Sequence, residues 1–125
     1  MSTSMNDPRQ TFGDLLRATR VAQGYSLRKF AEMIDVSPTY LSQIEQGKVQ
    51  RPPTAERVRV MAEKLKQNPD QWIALAGRMP DDLTDIIKKE PVEMPALLRA
   101  AKGMTADELR KLTEKLRRQQ EGGAS

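Results

Sequence analysis

The most constraining feature of this chain is the segment from Ser26 to Gly47, which has the pattern of two short helices joined by a tight turn. Its first part repeats apolar residues at the i, i+3, i+4, i+7 spacing of a helix with one buried face, at Leu27, Phe30, Ala31 and Ile34. Ser26 is a favourable N-cap for that helix. The segment therefore begins with a short amphipathic helix.

A turn and a second helix follow within a few residues. Asp35 tolerates a left-handed turn conformation, Ser37 is a good N-cap and Pro38 suits the first helical position. Leu41 and Ile44 then point inward and Gly47 ends the helix. The polar residues left on its outer face are Thr39, Ser42, Gln43 and Gln46. A second helix whose exposed face is polar is typical of a DNA-recognition helix.

On these residues the sequence resembles the helix-turn-helix of the Cro/cI-type (XRE-like) repressor family. The resemblance lies in Ser26, the small Ala31, Val36 and Ser37 in the turn, and the closing run from Ile44 to Gly47. It extends from about Thr11 to Gly77 and implies an all-α, five-helix lambda-repressor-like DNA-binding domain. Two positions depart from the family: Leu27 stands where Gln is frequent, and Asp35 stands where Gly is usual.

Composition supports an all-α chain of one small domain plus an appendage. Strand signals are almost absent from the 125 residues, and several prolines stand at helix starts or between helices. We predict a disordered N-terminus at 1–10, a helix-turn-helix DNA-binding domain at 11–77, a helical C-terminal module at 78–120 and a disordered tail at 121–125. The net charge is +4, with 11 basic and 8 acidic residues up to Gly77 and 10 and 9 after it. The positive excess therefore leans toward the DNA-binding half.

Several functional classes are disfavoured by what the sequence lacks. It has neither Cys nor His, and it shows no Gly-rich phosphate loop, so we predict no metal, no cofactor and no enzymatic activity. No apolar run approaches the roughly 20 residues that span a bilayer, and no signal peptide is evident. We expect a cytoplasmic protein, bacterial or phage-encoded and associated with the nucleoid, without a membrane partner.

The residues expected to contact double-stranded DNA surround the second helix of the motif. Base edges are expected to be read from its first turns, by Pro38, Thr39, Tyr40 and Gln43, and for Tyr40 the sugar-phosphate wall is the alternative contact. Phosphate contacts are expected from Arg28, Lys29, Ser37, Ser42, Gln46, Lys48 and Arg51. For Arg28 and Lys29 a solvated helix face is the alternative. The resemblance further implies that Arg20 and Glu45 form a structural ion pair.

The remaining apolar residues divide into a core and a C-terminal set. The expected core consists of Leu15, Leu16, Phe30, Ile34, Leu41, Ile44, Val58, Met61, Leu65, Trp72 and Leu75. Three further amphipathic helices are predicted, from Pro80 to Lys89, Pro91 to Lys102 and Thr105 to Gln119, the last with a capping box at Thr105 and Glu108. The apolar faces of these three helices contain the candidate dimerisation residues Leu83, Ile86, Ile87, Leu97, Leu98, Leu109, Leu112 and Leu116. The alternative is that these helices pack back on the N-terminal domain of a monomer.

Two functions are compatible with this organisation. The first is a sequence-specific, double-stranded DNA-binding transcriptional regulator, a repressor that binds an inverted-repeat operator as a homodimer. The alternative is a protein-interaction module or antitoxin whose C-terminal helices bind a protein partner. An exposed apolar patch combined with weak DNA binding of no sequence preference would distinguish the second from the first.

Overall fold

The computed structural model describes residues 8–123, and over that range the chain is all helical, with no strand. The helices are α1 (Pro8–Ala22), α2 (Leu27–Met33), α3 (Pro38–Glu45), α4 (Ala55–Lys64), α5 (Pro69–Leu75), α6 (Asp81–Lys89), α7 (Glu93–Ala100) and α8 (Ala106–Gly123). The all-α prediction is confirmed. The chain divides into two compact units, Met1–Thr84 and Asp85–Ser125.

Side-chain caps begin the helices α2 to α5. In each case the capping oxygen accepts a hydrogen bond from the backbone N–H three residues further on, at 3.0–3.2 Å, and the caps are Ser26, Ser37, Thr54 and Asn68. The predicted caps at Ser26 and Ser37 are thereby confirmed. Asp35 adopts the left-handed conformation expected of it, with φ of 59°. These local devices place the turn between α2 and α3.

One hydrophobic core occupies the first unit. Its buried side chains are Phe12, Leu16, Phe30, Ala31, Ile34, Leu41, Ile44, Val49, Val58, Met61, Ala62, Leu65, Trp72, Ile73 and Ala76. Trp72 is 1% exposed and meets Phe12 edge to face, with ring centroids 5.7 Å apart, which confirms a packing role. Leu15 and Leu75 were predicted to be core residues but are only partly buried, because they lie at its margin.

The packing of α1 against α3 requires a glycine. A Cβ at Gly13 would lie 2.5 Å from the carbonyl oxygen of Ile44 and 2.6 Å from that of Glu45. Because both neighbours are backbone atoms, they cannot turn aside as a flexible side chain would. Helix α1 also packs against α5, α2 against α3 and α4 against α5. This framework holds α3 at the surface of the first unit.

The second unit contains the end of α6, with α7 and α8. None of its described side chains is buried. The capping box at the start of α8 is confirmed: Thr105 N–H donates to Glu108 Oε1 at 2.9 Å, and Glu108 N–H donates to Thr105 Oγ1 at 3.1 Å. All three predicted C-terminal helices are present, although α7 runs only from Glu93 to Ala100.

The chain ends are more helical than the sequence indicated. Residues 8–10 and 121–123 were predicted to be disordered, but α1 begins at Pro8 and α8 continues to Gly123. The good helix formers Gln119, Gln120 and Glu121 extend α8 past its last leucine. The rest of the predicted disorder falls on residues 1–7, 124 and 125, which lie outside the described residues. The other predicted domain bounds remain predictions.

Candidate nucleic-acid interface

The exposed side of α3 forms a concave polar patch. Its lining residues are Leu27, Pro38, Thr39, Ser42, Gln43, Gln46 and Lys48, which we call the α3 patch. The fold therefore brings together three residues predicted to read bases and three predicted to bind phosphate. All of the six are exposed except Ser42, which is half-buried. The patch offers hydroxyl, amide and ammonium groups, the donors and acceptors that base edges and phosphates require.

Hydrogen bonding already organises part of the α3 patch. The Gln46 side chain donates from Nε2 to Ser42 Oγ at 2.9 Å, one helical turn away. Leu27 contributes an apolar side chain from the start of α2, and the exposed Arg17 lies beside it, in a cavity that Leu27, Ser42 and Gln46 also line. Gln43 forms no side-chain hydrogen bond within the described residues, and its amide faces solvent. An amide in this state has both its donor and its acceptor available for a base edge.

Other predicted contact residues lie around the patch. Ser37 caps α3, and its hydroxyl hydrogen remains available because Oγ only accepts from the backbone of Tyr40. Tyr40 is half-buried at the margin of the core and does not line the patch. Arg28, Lys29 and Arg51 are exposed and also lie outside it.

Arg57 of α4 lies beside Tyr40 and was not among the residues predicted from the sequence. Its guanidinium carbon lies 5.3 Å from the centroid of the Tyr40 ring, in a cation–π contact. These residues are far enough apart in sequence that no helical periodicity relates them. One feature of the sequence could have indicated Arg57. It is a basic residue near the start of the helix that follows the loop containing Lys48 and Arg51.

An ion pair beneath the patch joins α1 to α3. Arg20 Nε lies 2.7 Å from Glu45 Oε2 and Arg20 Nη2 lies 2.9 Å from Glu45 Oε1. Nη1 of the same arginine donates to the carbonyl oxygen of Tyr25 at 2.8 Å. The two residues are 7% and 6% exposed, so the pair is shielded from water. The structure thus brings together the two residues expected to pair, and it gives the Glu45 carboxylate of α3 a structural partner.

On α4 a second arginine is neutralised within its own helix. Arg59 pairs with Glu56, and its Nη1 also donates to Glu63 Oε1 at 2.7 Å. The hydrogen bond from Arg59 lowers the pKa of the Glu56 carboxyl below its ordinary value, and the two carboxylates raise the pKa of the Arg59 guanidinium. The charge of Arg59 is therefore balanced locally, and this arginine contributes little to a positive DNA-facing surface.

Two further features concern the part of the chain from residue 8 to residue 123. It contains no group of acidic, histidine or cysteine side chains arranged to hold a metal ion. Its helices include none with the length and hydropathy needed to cross a bilayer.

A short helix, a tight turn and a second helix with an exposed polar face, held on a five-helix core, define a DNA-binding helix-turn-helix domain. Residues 16–72 match the family HTH_3, described as helix-turn-helix. Over these residues the chain is a helix-turn-helix of the Cro/cI-type (XRE-like) family, which confirms the resemblance seen in the sequence.

Several solved structures are similar to this chain. The clp gene regulator ClgR from C. glutamicum is 30% identical over 56% of this chain and 88% of its own, with a TM-score of 0.47. An HTH_3 family transcriptional regulator from Vibrio cholerae is 28% identical over 58% of this chain and 39% of its own, with a TM-score of 0.46. A chain of the SinR protein/SinI protein complex is 21% identical over 88% of this chain and 98% of its own, with a TM-score of 0.47. A comparison with curated proteins gave no match.

Proposed function

We propose that this protein is a sequence-specific transcriptional repressor that binds an inverted-repeat operator in double-stranded DNA as a homodimer. The observation that carries the proposal is the α3 patch, in which solvent-facing amide, hydroxyl and ammonium groups gather on the second helix of the motif. Binding across a promoter would exclude RNA polymerase by occlusion. Such a protein acts in the cytoplasm, at the nucleoid of a bacterium or on phage DNA.

In this proposal α3 enters the major groove. The free amide of Gln43 is suited to the paired donor and acceptor of adenine, and the Thr39 methyl is suited to a thymine methyl. Ser42, Gln46 and Lys48 then lie where the sugar-phosphate wall of the groove passes. The exposed residues outside the patch, Arg28, Lys29, Ser37 and Arg51, would extend the phosphate contacts along both strands.

The homodimer is supported by apolar side chains that the single chain leaves in water. Six of the eight candidate dimerisation residues are 41–56% exposed, namely Leu83, Ile86, Leu97, Leu98, Leu109 and Leu116, while Ile87 and Leu112 are half-buried. A unit of this size, in which none of the described side chains is buried, gains little from burial on its own. A second copy would cover these residues and stabilise both units.

Charge along α8 favours a second copy as the occupant. Its first turn contains Asp107, which pairs with Arg110 of the same helix, and Glu108, whereas Lys115, Arg117 and Arg118 surround the last leucine of its stripe. Two copies in antiparallel register would bring Glu108 of each α8 beside the basic half of the other, with the leucines between them. A homodimer also supplies the two-fold symmetry that an inverted repeat requires.

Selection of bound duplexes from a random pool at about 150 mM salt tests DNA reading, because purely electrostatic binding is weak there. We expect an inverted repeat with half-site centres about 10 base pairs apart. Gln43→Ala should relax the preference at one position of each half-site, whereas Gln71→Ala, an exposed glutamine on α5, should leave the motif unchanged. Recovery of no motif from the wild-type chain would overturn the proposal.

Sedimentation at micromolar concentration tests the dimer. We expect a dimer for the wild type and a monomer for the double variant Leu109→Lys, Leu116→Lys. Glu114→Lys is the matched control, since it adds a lysine on the opposite face of the same exposed helix. A wild-type chain that is a strict monomer, even on operator DNA, would refute this part of the proposal.

A different protein partner is the second candidate, and the same exposed leucines favour it. A protein-interaction module or antitoxin would cover the apolar residues of α7 and α8 with another polypeptide. This candidate predicts weak DNA binding without sequence preference for the isolated protein. The duplex selection therefore separates a sequence reader from a module that binds only protein, whereas an antitoxin would do both.

A further inference from the structure

Two arginines on α4 differ in how their charges are balanced. Arg59 is bonded to Glu56 and Glu63, as described above. Arg57 forms no ion pair and no side-chain hydrogen bond within the described residues, and its guanidinium lies over the Tyr40 ring instead. Because the two arginines are two positions apart in a helix, they project from different faces. Only Arg57 therefore brings an unneutralised positive charge toward α3.

The location of Tyr40 determines where that charge is held. Tyr40 stands in the first turn of α3, directly after Pro38 and Thr39 of the α3 patch. This is the end of the helix that approaches base edges in a helix-turn-helix complex, and the phosphates of the groove wall pass beside it. Arg57 lies 5.3 Å from the ring centroid, so its guanidinium is held beside the entry point of α3.

A guanidinium over an aromatic ring keeps its hydrogen-bonding capacity. The ring contacts one face of the planar group, while the N–H donors lie in the plane and point outward at its edge. Arginine presents these donors as a rigid fork that matches two phosphate oxygens. The contact with Tyr40 also reduces the conformational freedom that the side chain would lose on binding.

We propose that Arg57 is a DNA-binding residue that contacts a backbone phosphate, and that the Tyr40 ring positions it. This assigns Tyr40 a supporting role in place of the base-reading role expected from sequence. The inference rests on the proposed function, because it takes α3 to be the helix that enters the groove. It adds a residue of α4 to a contact surface formed mainly by α3 and its flanking loop.

The experiment measures the dissociation constant of the full-length protein for duplex DNA at several salt concentrations. In the proposed homodimer each copy contributes one contact, so Arg57→Ala should weaken binding about 5- to 10-fold per copy at about 150 mM salt and reduce the slope of log K against log salt by about 1.8, which is about 0.9 for each of the two phosphate contacts. The selected DNA motif should stay the same. Arg59→Ala removes the same charge from the same helix and should change the slope by much less.

Two tyrosine variants test the positioning role. Tyr40→Phe keeps the ring and should bind as the wild type does, whereas Tyr40→Ala should reproduce much of the Arg57→Ala loss. The double variant Tyr40→Ala, Arg57→Ala should then be scarcely weaker than either single variant. Trp72 fluorescence confirms that each variant is folded, because this tryptophan is buried in the core of the first unit.

The outcomes separate this inference from the proposed function. Equal effects of Arg57→Ala and Arg59→Ala would show a general charge effect and overturn the phosphate contact. A loss in Tyr40→Phe equal to that in Tyr40→Ala would assign the effect to the hydroxyl and overturn the supporting role. If the wild type binds DNA without a motif, the proposed function fails, but the slope on mixed-sequence duplex still tests Arg57. Absence of any DNA binding would refute both.

Discussion

Replacing Glu45 with alanine tests whether the buried ion pair stabilises the docking of α3. The change removes both hydrogen bonds to Arg20, at 2.7 and 2.9 Å, and leaves a guanidinium that is 7% exposed. Removing one partner of a buried pair costs about 3–5 kcal/mol. Because Arg20 keeps its hydrogen bond to the Tyr25 carbonyl, we expect the lower end, about 3 kcal/mol. For a domain of this size that lowers Tm by about 12–24 °C.

Urea and thermal unfolding followed by Trp72 fluorescence measure this loss. Trp72 is the single tryptophan of the chain and lies in the core of the first unit, so its signal reports that unit specifically. Glu63→Ala is the matched control, since it removes a carboxylate from an exposed arginine pair and should cost under about 1 kcal/mol. Replacing both partners, by Arg20→Met with Glu45→Leu, should recover most of the stability, because no unpaired charge remains buried.

An unchanged stability of Glu45→Ala would contradict a structural role for Glu45. If Glu45→Ala unfolded at the same urea concentration and temperature as the wild type, while its selected DNA motif changed, Glu45 would be a specificity residue and not a structural one. We expect the reverse: a lower midpoint, and an unchanged motif at temperatures where the variant is folded.

Three further predictions concern other parts of the first unit. Gly13→Ala should destabilise by about 1–3 kcal/mol, measured by urea unfolding, because its Cβ meets two backbone oxygens of α3; an unchanged midpoint would contradict the close approach of the helices. Lys66→Gly should raise the urea midpoint of unfolding slightly, because Lys66 follows α4 with φ of 60°, a left-handed conformation that glycine adopts without strain. A lower midpoint would show that contacts of the lysine side chain stabilise the fold by more than the backbone strain costs. The pKa of Glu56, followed by NMR, should lie below its ordinary value and return toward it in Arg59→Ala. Because the pKa of Glu56 is lowered in the folded state, the pair stabilises the fold at pH values above the pKa of Glu56 in the unfolded chain. Any such contribution should disappear as the pH falls through the folded-state pKa of Glu56. A Glu56 pKa that Arg59→Ala leaves unchanged would refute the effect of this pair.

Local chemistry made much of the helix-turn-helix predictable. The caps at Ser26 and Ser37, the left-handed Asp35 and the first-turn Pro38 all act within four residues of their own positions. Such interactions are encoded in short stretches of sequence. The periodic apolar residues of α2 to α5 likewise indicated which faces would be buried, and most of the expected core is buried.

Contacts between distant residues were not predictable in the same way. The need for glycine at position 13 depends on backbone carbonyls more than 30 residues further along the chain. The contact of Arg57 with Tyr40 depends on how α4 packs beside α3. No local spacing relates these positions, and the contact between them could therefore not be predicted from the sequence.

Propensity, capping and periodicity act over a few residues, and the helical class, the position of the turn and the set of polar residues on α3 could therefore be predicted from the sequence. Only the tertiary structure decided which of those residues share the α3 patch, that Arg20 and Glu45 are shielded from water, and that Arg57 is held by an aromatic ring. The physical reason is that burial and side-chain contact depend on the packing of whole helices, which brings together residues that are far apart along the chain.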